Sequence, residues 1–169
     1  MKIITFLAVA LIATGLLSSC KKGDEASPED KQKAEDFKTF VAAKQFTLVS
    51  YTSDKPIDYV EDDAEVKEET NLWPYVSLWI KDDHNAFDVN TGLVTITQNA
   101  YKISTISEDV FTRSFDIGAD KDGPYLNFVN YQYNPLKYRL VDFNAEGFTV
   151  YVDWHSGAKV YSVFEVVPN

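Results

Sequence analysis

Cysteine is almost absent from this chain, since Cys20 is the single copy among 169 residues. One cysteine cannot pair within its own chain, which excludes a fold held by internal disulfides. Basic residues are also few, because 16 Lys and Arg stand against 26 Asp and Glu and give a net charge of −10. An acidic chain repels phosphate backbones, so nucleic acid is not expected as a partner.

Recognisable catalytic and metal-binding motifs are missing as well. The sequence has no Gly-x-Ser-x-Gly elbow. The histidines His84 and His155 lack the His-x-His or His-x3-His spacing of metal ligands, and exposed turn histidines are the simpler interpretation. We therefore expect no enzymatic activity, no cofactor and no metal site. The alternative is a pair of catalytic carboxylates of the kind that hydrolyses glycosides, whose positions the sequence does not indicate.

The first nineteen residues are typical of an export signal. Lys2 precedes the apolar run Ile3 to Leu17, which is shorter than the roughly 20 residues that a membrane-spanning helix needs. Leu17-Ser18-Ser19-Cys20 resembles the lipobox of bacterial lipoproteins, whose cysteine thiol receives a diacylglyceryl group. We expect cleavage before Cys20 and fatty-acyl chains such as palmitate on this residue. An ordinary secretory signal is the alternative.

Residues 20–44 are predicted to be a lipid-bearing tether followed by a helical stalk. Ser27 suits a helix N-cap, Pro28 suits the first helical position, and acids follow at the positive end of the helix dipole. These signals predict a helix over about residues 28–44, which docks on the domain through Phe37, Phe40 and Val41. A solvated stalk without helical structure in its first half is the alternative.

Residues 45–169 are predicted to be one β-rich domain. Eleven Phe, ten Tyr and three Trp supply a packed core. The expected strands are Phe46–Tyr51, 84–89, 93–99, Tyr101–Ile106, Val110–Ile117, Tyr125–Tyr131, Lys137–Phe143, Phe148–Trp154 and Lys159–Val167. Asn90-Thr91-Gly92 is the turn of one hairpin, and Gly118 is expected to stop the strand from Val110. The pattern favours an up-and-down antiparallel barrel of about eight strands, with a β-sandwich as the alternative.

Residues 54–80 interrupt the strand rhythm. Asn71 to Ile80 is predicted to form a short helical turn, with Pro74 tolerated only near its start. Its apolar side would carry Leu72, Trp73, Val76 and Trp79. In a small barrel, a segment of this kind often covers one open end.

Several short motifs between residues 45 and 100 carry a resemblance to a known family. They are Phe46-Thr47-Leu48-Val49-Ser50-Tyr51, Lys55-Pro56-Ile57-Asp58, Thr70-Asn71-Leu72, Lys81-Asp82-Asp83, Phe87 and Asn90-Thr91-Gly92. With them the chain resembles the lipocalin-like lipoproteins of the Bacteroidota. Those proteins tend to carry a tryptophan near the position of Phe46 and a glycine-rich loop after the Ile-Asp pair, and this chain has neither. The resemblance implies a small calycin-type barrel.

The segment from residue 54 to 69 is strongly acidic, with eight acids, two lysines and a net charge of −6. Asp58, Glu61, Asp63 and Glu65 are weak candidates for calcium ligands, because calcium takes six to eight oxygens from a flexible loop. The segment lacks the glycine that a sharp calcium loop needs. A solvated loop that keeps the barrel rim charged is the preferred interpretation.

The candidate ligand-binding residues are three members of the strand from Val110 to Ile117 and the three tryptophans. Alternation places Phe111, Arg113 and Phe115 on one face, and a guanidinium inside the barrel needs a partner. An internal carboxylate is the preferred partner and a carboxylate-bearing ligand the alternative. Trp73, Trp79 and Trp154 are expected to line or cap the site, although packing alone also explains them.

The leading hypothesis is a lipoprotein whose barrel holds a small hydrophobic or amphipathic ligand near its mouth. A structural or interaction lipoprotein with a filled barrel is the second hypothesis. Lys21 follows Cys20 where enteric bacteria use aspartate as an inner-membrane retention signal, so the outer membrane is expected. The acids starting at Asp24 partly resemble a surface-export signal, which leaves the membrane face open.

Overall fold

The computed structural model describes residues 25–42, 44–58, 60–61, 64–65, 68–129 and 135–168. The side chains of residues 60–61 and 64–65 are not included in this description. The predicted export signal, Cys20 and Asp63 lie outside the described residues, so their assignments stay predictions.

Eight antiparallel strands close into a barrel, as the sequence pattern predicted. In chain order the strands are β1 (Gln45–Ile57), β2 (Val60–Glu61), β3 (Ala64–Glu65), β4 (Glu69–Asn71), β5 (His84–Asp88), β6 (Leu93–Thr97), β7 (Val110–Asp120), β8 (Gly123–Val129), β9 (Pro135–Asn144), β10 (Gly147–Asp153) and β11 (Lys159–Val166). From β5 to β11 each strand pairs with the next, and β1 closes the barrel by pairing with both β11 and β5. β4 adds a ninth strand beside β1, while β2 and β3 form a separate two-stranded ladder.

Helix α1 (Pro28–Val41) packs against one end of the barrel. The Ser27 hydroxyl caps it by accepting a hydrogen bond from the Asp30 backbone N–H at 3.0 Å. The side chain of Phe37 is fully buried, and its ring lies 5.4 Å from Phe143 and 5.2 Å from Phe148. The helix begins as predicted and ends three residues earlier than residue 44, with Ala42 as its C-cap. Among the described residues, no helix is both long enough and apolar enough to span a bilayer.

The two ends of the barrel differ, and we name them for what covers them. The closed end holds α1 and the short turns β5–β6, β7–β8 and β9–β10. The open end is where β7 begins, where β10 leads to β11, and where the acidic segment leaves β1 and returns at β4. The closed-end turns have two to four residues, whereas the open end holds the twelve-residue connection from β6 to β7 and the acidic segment.

A cluster of phenylalanines fills the barrel towards the closed end. Phe46 and Phe148 are almost fully buried, and their rings lie 5.0 Å apart. Phe87 and Phe164 extend this cluster, at 6.4 Å and 4.8 Å from the Phe148 ring. These side chains come from β1, β5, β10 and β11, which are four neighbouring strands, so the cluster ties one side of the barrel together.

The hairpin around Asn90-Thr91-Gly92 is confirmed, since β5 and β6 flank this turn in direct register. Gly92 has a φ of +68°, a conformation that glycine adopts without a steric penalty. The expected stop at Gly118 is wrong. β7 continues to Asp120, because Gly118 pairs with Tyr125 of β8 in regular register.

The predicted strand Tyr101–Ile106 is wrong, because residues 98–109 form an irregular connection. Gln98 organises this connection from inside the barrel wall. Its side-chain N–H donates to the carbonyl of Glu108 at 2.7 Å, and its side-chain oxygen accepts from the Ile103 N–H at 2.7 Å. These hydrogen bonds satisfy backbone groups that would otherwise pair with a neighbouring strand.

The expected single helical turn within Asn71–Ile80 is divided into two pieces. A 3-10 turn covers Trp73–Tyr75, and α2 covers Leu78–Asp82. Pro74 lies in the first piece, where its missing N–H removes no intrahelical bond. The opening strand is also longer than predicted, since β1 continues past Tyr51 to Ile57 and gains β4 as a partner.

Candidate ligand site at the open end of the barrel

Phe111 and Arg113 lie on the inner face of β7, close to its beginning at the open end. Arg113 is only 9% exposed, although a guanidinium stays charged at any physiological pH. Its Cζ lies 4.7 Å from the centroid of the Phe111 ring, and its Nη1 donates to the carbonyl of Thr112 at 2.9 Å. The cation is thus held over an aromatic face inside the barrel, which confirms the predicted alternation of β7.

Phe115 shares this inner face but lies deeper in the barrel. Its ring packs edge-on against Phe87, with the centroids 5.0 Å apart. It therefore belongs with the phenylalanine cluster, whereas Phe111 and Arg113 remain near the open end.

Trp154 follows β10 in the connection to β11, at the open end. Its backbone N–H donates to the carbonyl of Ala158 at 2.8 Å, which fixes the turn. The half-buried side chain packs against a second apolar cluster, formed by Ile57, Leu72, Ala158 and Val160. This cluster joins the tryptophan to the end of β1 and to the beginning of the segment that carries the other two tryptophans.

A gap separates the two strand partners that β1 has on one side. β5 pairs with Gln45 and Phe46, and β4 pairs at Thr52 and Ile57. Among the described residues, no strand pairs with the part of β1 between these positions on that side. Residues 72–83 lie there instead, as a wall segment beside β1, and the Thr47 hydroxyl donates to the carbonyl of Lys81 at 3.3 Å.

Trp73 and Trp79 belong to this wall segment. The first residue of this segment is fixed to β1, because the Leu72 N–H donates to the carbonyl of Tyr51 at 3.0 Å. The ammonium of Lys81 lies 4.9 Å from the centroid of the Trp73 ring. Both tryptophans are half-buried. The segment was expected to cover one end of the barrel; the structure places it beside β1.

Several buried polar residues face the barrel interior and were not singled out from the sequence. They are Ser53, Asp83, Gln98 and Ser162. Asp83 is 1% exposed and extends the inward alternation of Asn85 and Phe87 by one step. Gln98 extends the alternation of β6 in the same way. Following the inward series of β6 one step beyond Ile96 would have found Gln98, whereas Asp83 is separated from Phe87 by the polar Asn85 and gives no such local signal.

Tyr138 adds a desolvated hydroxyl to the interior. It lies on β9 between Leu136 and Leu140, and it packs against the main apolar cluster. Burial raises the pKa of Tyr138 to about 12, since the phenolate loses its hydration inside the barrel. The neutral hydroxyl is therefore the form present at neutral pH.

Of the four candidate calcium ligands, only Asp58 has a described side chain. In the described part of the chain, no group of three or more His, Cys, Asp and Glu residues has the geometry to hold a metal ion. Asp58 accepts a hydrogen bond from the backbone N–H of Glu68 at 3.3 Å. Asp63 and the side chains of Glu61 and Glu65 fall outside the description, so the solvated loop stays the preferred prediction and calcium binding its alternative. His84 begins β5, whereas His155 is exposed in the β10–β11 connection.

Comparisons with protein-family models and with curated proteins find no match to this chain. The closed eight-stranded barrel is compatible with a calycin-like fold. The more specific resemblance to the lipocalin-like lipoproteins of the Bacteroidota stays a prediction.

Proposed function

We propose that this protein is a lipid-anchored binding protein of the bacterial outer membrane, and that its barrel binds a small amphipathic molecule with an anionic head at the open end. It acts by binding, without catalysis. The observation that carries this proposal is the nearly buried guanidinium of Arg113 over the Phe111 ring, on the inner face of β7.

Arg113 suits the anionic head of such a ligand. A guanidinium presents several N–H donors in a plane and binds carboxylates through paired hydrogen bonds. An anion held at low exposure interacts more strongly with this charge than it would in water. Phe111 beside it offers an apolar surface to the first carbons of the ligand. Carboxylates with an alkyl or steroid body are therefore the ligand class that fits best.

The depth of the site is limited by the phenylalanine cluster. Phe46, Phe87 and Phe148 are each 5% exposed or less, and they occupy the barrel towards α1. A ligand therefore binds near Arg113 and Phe111, and does not run through the length of the barrel. This limited depth favours ligands whose apolar part is short or can remain partly outside the barrel.

The same phenylalanine cluster supports a second candidate function. A barrel whose interior is occupied by its own side chains can serve as a structural or interaction lipoprotein that acts through its surface. Phe37 and Phe46 are fully buried, which is the packing expected of such a scaffold. The two functions differ in whether the open end takes up a ligand.

A fluorescence titration of the mature chain distinguishes them, because Trp154 lies at the open end and reports on it. Dodecanoate and deoxycholate are compared with the methyl ester of dodecanoate, which has the same alkyl body and no charge. We expect a saturable change with both carboxylates and weaker binding of the ester. An absence of any change up to the solubility limit of every probe overturns the binding function and leaves the structural one.

The anchoring is tested separately at Cys20. The precursor with Cys20→Ala is expected to lose its membrane association, since the thioether can no longer form. Mass analysis of the wild-type N-terminal peptide should show acyl chains on Cys20. A Cys20→Ala protein that still fractionates with membranes would overturn the lipoprotein assignment.

A further inference from the structure

We propose that the closed end of the barrel, with α1, rests on the membrane that carries the anchor, and that the open end points away from it. This orientation rests on the proposed acylation of Cys20. It also deepens the proposed function, because the ligand then reaches Arg113 from the aqueous side and is not extracted from the anchoring bilayer.

The first support is where the described chain begins. α1 starts at the β7–β8 turn of the closed end, where the Asp30 carboxylate lies 3.9 Å from the position that a Cβ on Gly123 would occupy. The Lys33 ammonium donates to the carbonyl of Val141 on β9 at 2.8 Å, which fixes the helix there. The described part of the chain therefore begins at the closed end of the barrel.

The second support is length. Cys20 lies five residues before Glu25, the first described residue, and five extended residues span at most about 18 Å. β7 has 11 residues, so at the usual strand rise and barrel tilt it covers roughly 28 Å along the axis. A chain of that reach holds the closed end near the bilayer, and cannot bring the open end to it while the barrel stands upright.

The third support is charge. The acidic segment leaves β1 and returns at β4 on the open end, with a net charge of −6 over residues 54–69. Residues 21–44, which lead from the anchor into α1, contain six acids and six lysines. The turns of the closed end add acids singly, such as Asp122 and Glu146. An anionic bilayer therefore repels the segment at the open end more than the tether and helix.

Two exposed turn residues at opposite ends allow a matched test, Lys121 in the β7–β8 turn and Ser156 in the β10–β11 connection. The variants Lys121→Cys and Ser156→Cys are expressed as the full precursor, purified from membranes and labelled with a fluorophore, since acylation consumes the thiol of Cys20. Each protein is reconstituted into phosphatidylethanolamine–phosphatidylglycerol vesicles that contain a lipid with a nitroxide on its headgroup.

We expect a roughly twofold loss of emission at position 121 and no measurable loss at position 156, because nitroxide quenching needs near contact and the ends lie about 28 Å apart. Equal quenching at both positions, or stronger quenching at position 156, overturns the orientation. Mass analysis of the purified protein separates the two proposals. An unacylated Cys20 defeats the anchoring itself, whereas an acylated chain with reversed quenching defeats only the orientation.

Discussion

Phe148 and Phe164 stack inside the barrel, with ring centroids 4.8 Å apart and planes 15° from parallel. They are directly paired in the β10–β11 ladder. Phe148 also contacts Phe37 of α1, so this stack links the helix to the wall of the barrel. The stability of the closed end should therefore depend strongly on Phe148.

Phe148→Ala is expected to destabilise the protein by about 3–5 kcal/mol, because it removes a buried ring and leaves a cavity among other rings. Urea unfolding followed by circular dichroism measures the change. Val141→Ala is the control, since Val141 is 40% exposed on β9 and its truncation should cost under about 1 kcal/mol. Equal losses in both variants would show that the cluster is not the centre of the core.

The N-cap of α1 gives a second stability prediction. Ser27→Ala removes the acceptor for the Asp30 N–H and should lower the free energy of unfolding by about 1 kcal/mol. Ser27→Gly should lower the free energy of unfolding by only about a few tenths of a kcal/mol, since glycine leaves the helix N-terminus open to water. Urea unfolding of both variants provides the comparison. A helix that does not dock on the barrel would make both substitutions neutral.

Asp120 gives a prediction about pH. Its carboxylate accepts hydrogen bonds from Arg139 at 2.6 Å and from Lys137 at 3.0 Å, which hold the pKa of Asp120 well below its usual range. A carboxyl whose pKa is lowered by folding adds stability above its unfolded pKa of about 4, and loses that stability as the pH falls through the folded pKa. The pair should therefore stabilise the protein at neutral pH and not in strong acid.

The test compares the Tm of wild type and Asp120→Asn from neutral pH down to acid. The difference in Tm between wild type and Asp120→Asn should be largest near neutral pH and should shrink below about pH 4. Asp142→Asn, an exposed acid on β9, is the control and should change the Tm little. A gap that stays constant with pH would mean that the Asp120 charge adds no stability.

Local signals explain what the sequence predicted correctly. The Ser27 cap, the turn at Gly92 and the alternation that places Arg113 inside the barrel each depend on a few neighbouring residues. Such patterns are set by backbone geometry and by the two-residue period of a strand. For this reason the barrel and the inner face of β7 could be predicted from sequence alone.

The errors come from contacts between distant parts of the chain. Residues 101–106 alternate like a strand, yet Gln98 binds the backbone of their connection, and none of the described strands pairs with them. β4 pairs with β1 across the acidic segment, a contact that no local pattern reports. Asp83 is buried through its place in the barrel wall, although its neighbours in sequence are polar.

Arg113 gives the prediction that bears on binding. Arg113→Gln should weaken the affinity for dodecanoate about tenfold or more, because a charge-assisted hydrogen bond contributes roughly 1.5–3 kcal/mol. The affinity for the methyl ester should stay the same. Arg139→Gln is the matched control, since it removes the same charge from the outer side of β9, where Arg139 pairs with Asp120. Fluorescence titration measures all three proteins, and equal losses in both variants would point to net charge alone.

The most direct test of the central claim is to locate the bound ligand. The mature protein is irradiated with a fatty acid that carries a diazirine near its carboxylate, and the labelled peptides are identified by mass spectrometry. We predict saturable labelling near Phe111 and Arg113, which excess dodecanoate prevents and Arg113→Gln reduces. Labelling that does not saturate, or that lies on α1 and the closed-end turns, would contradict a binding site at the open end.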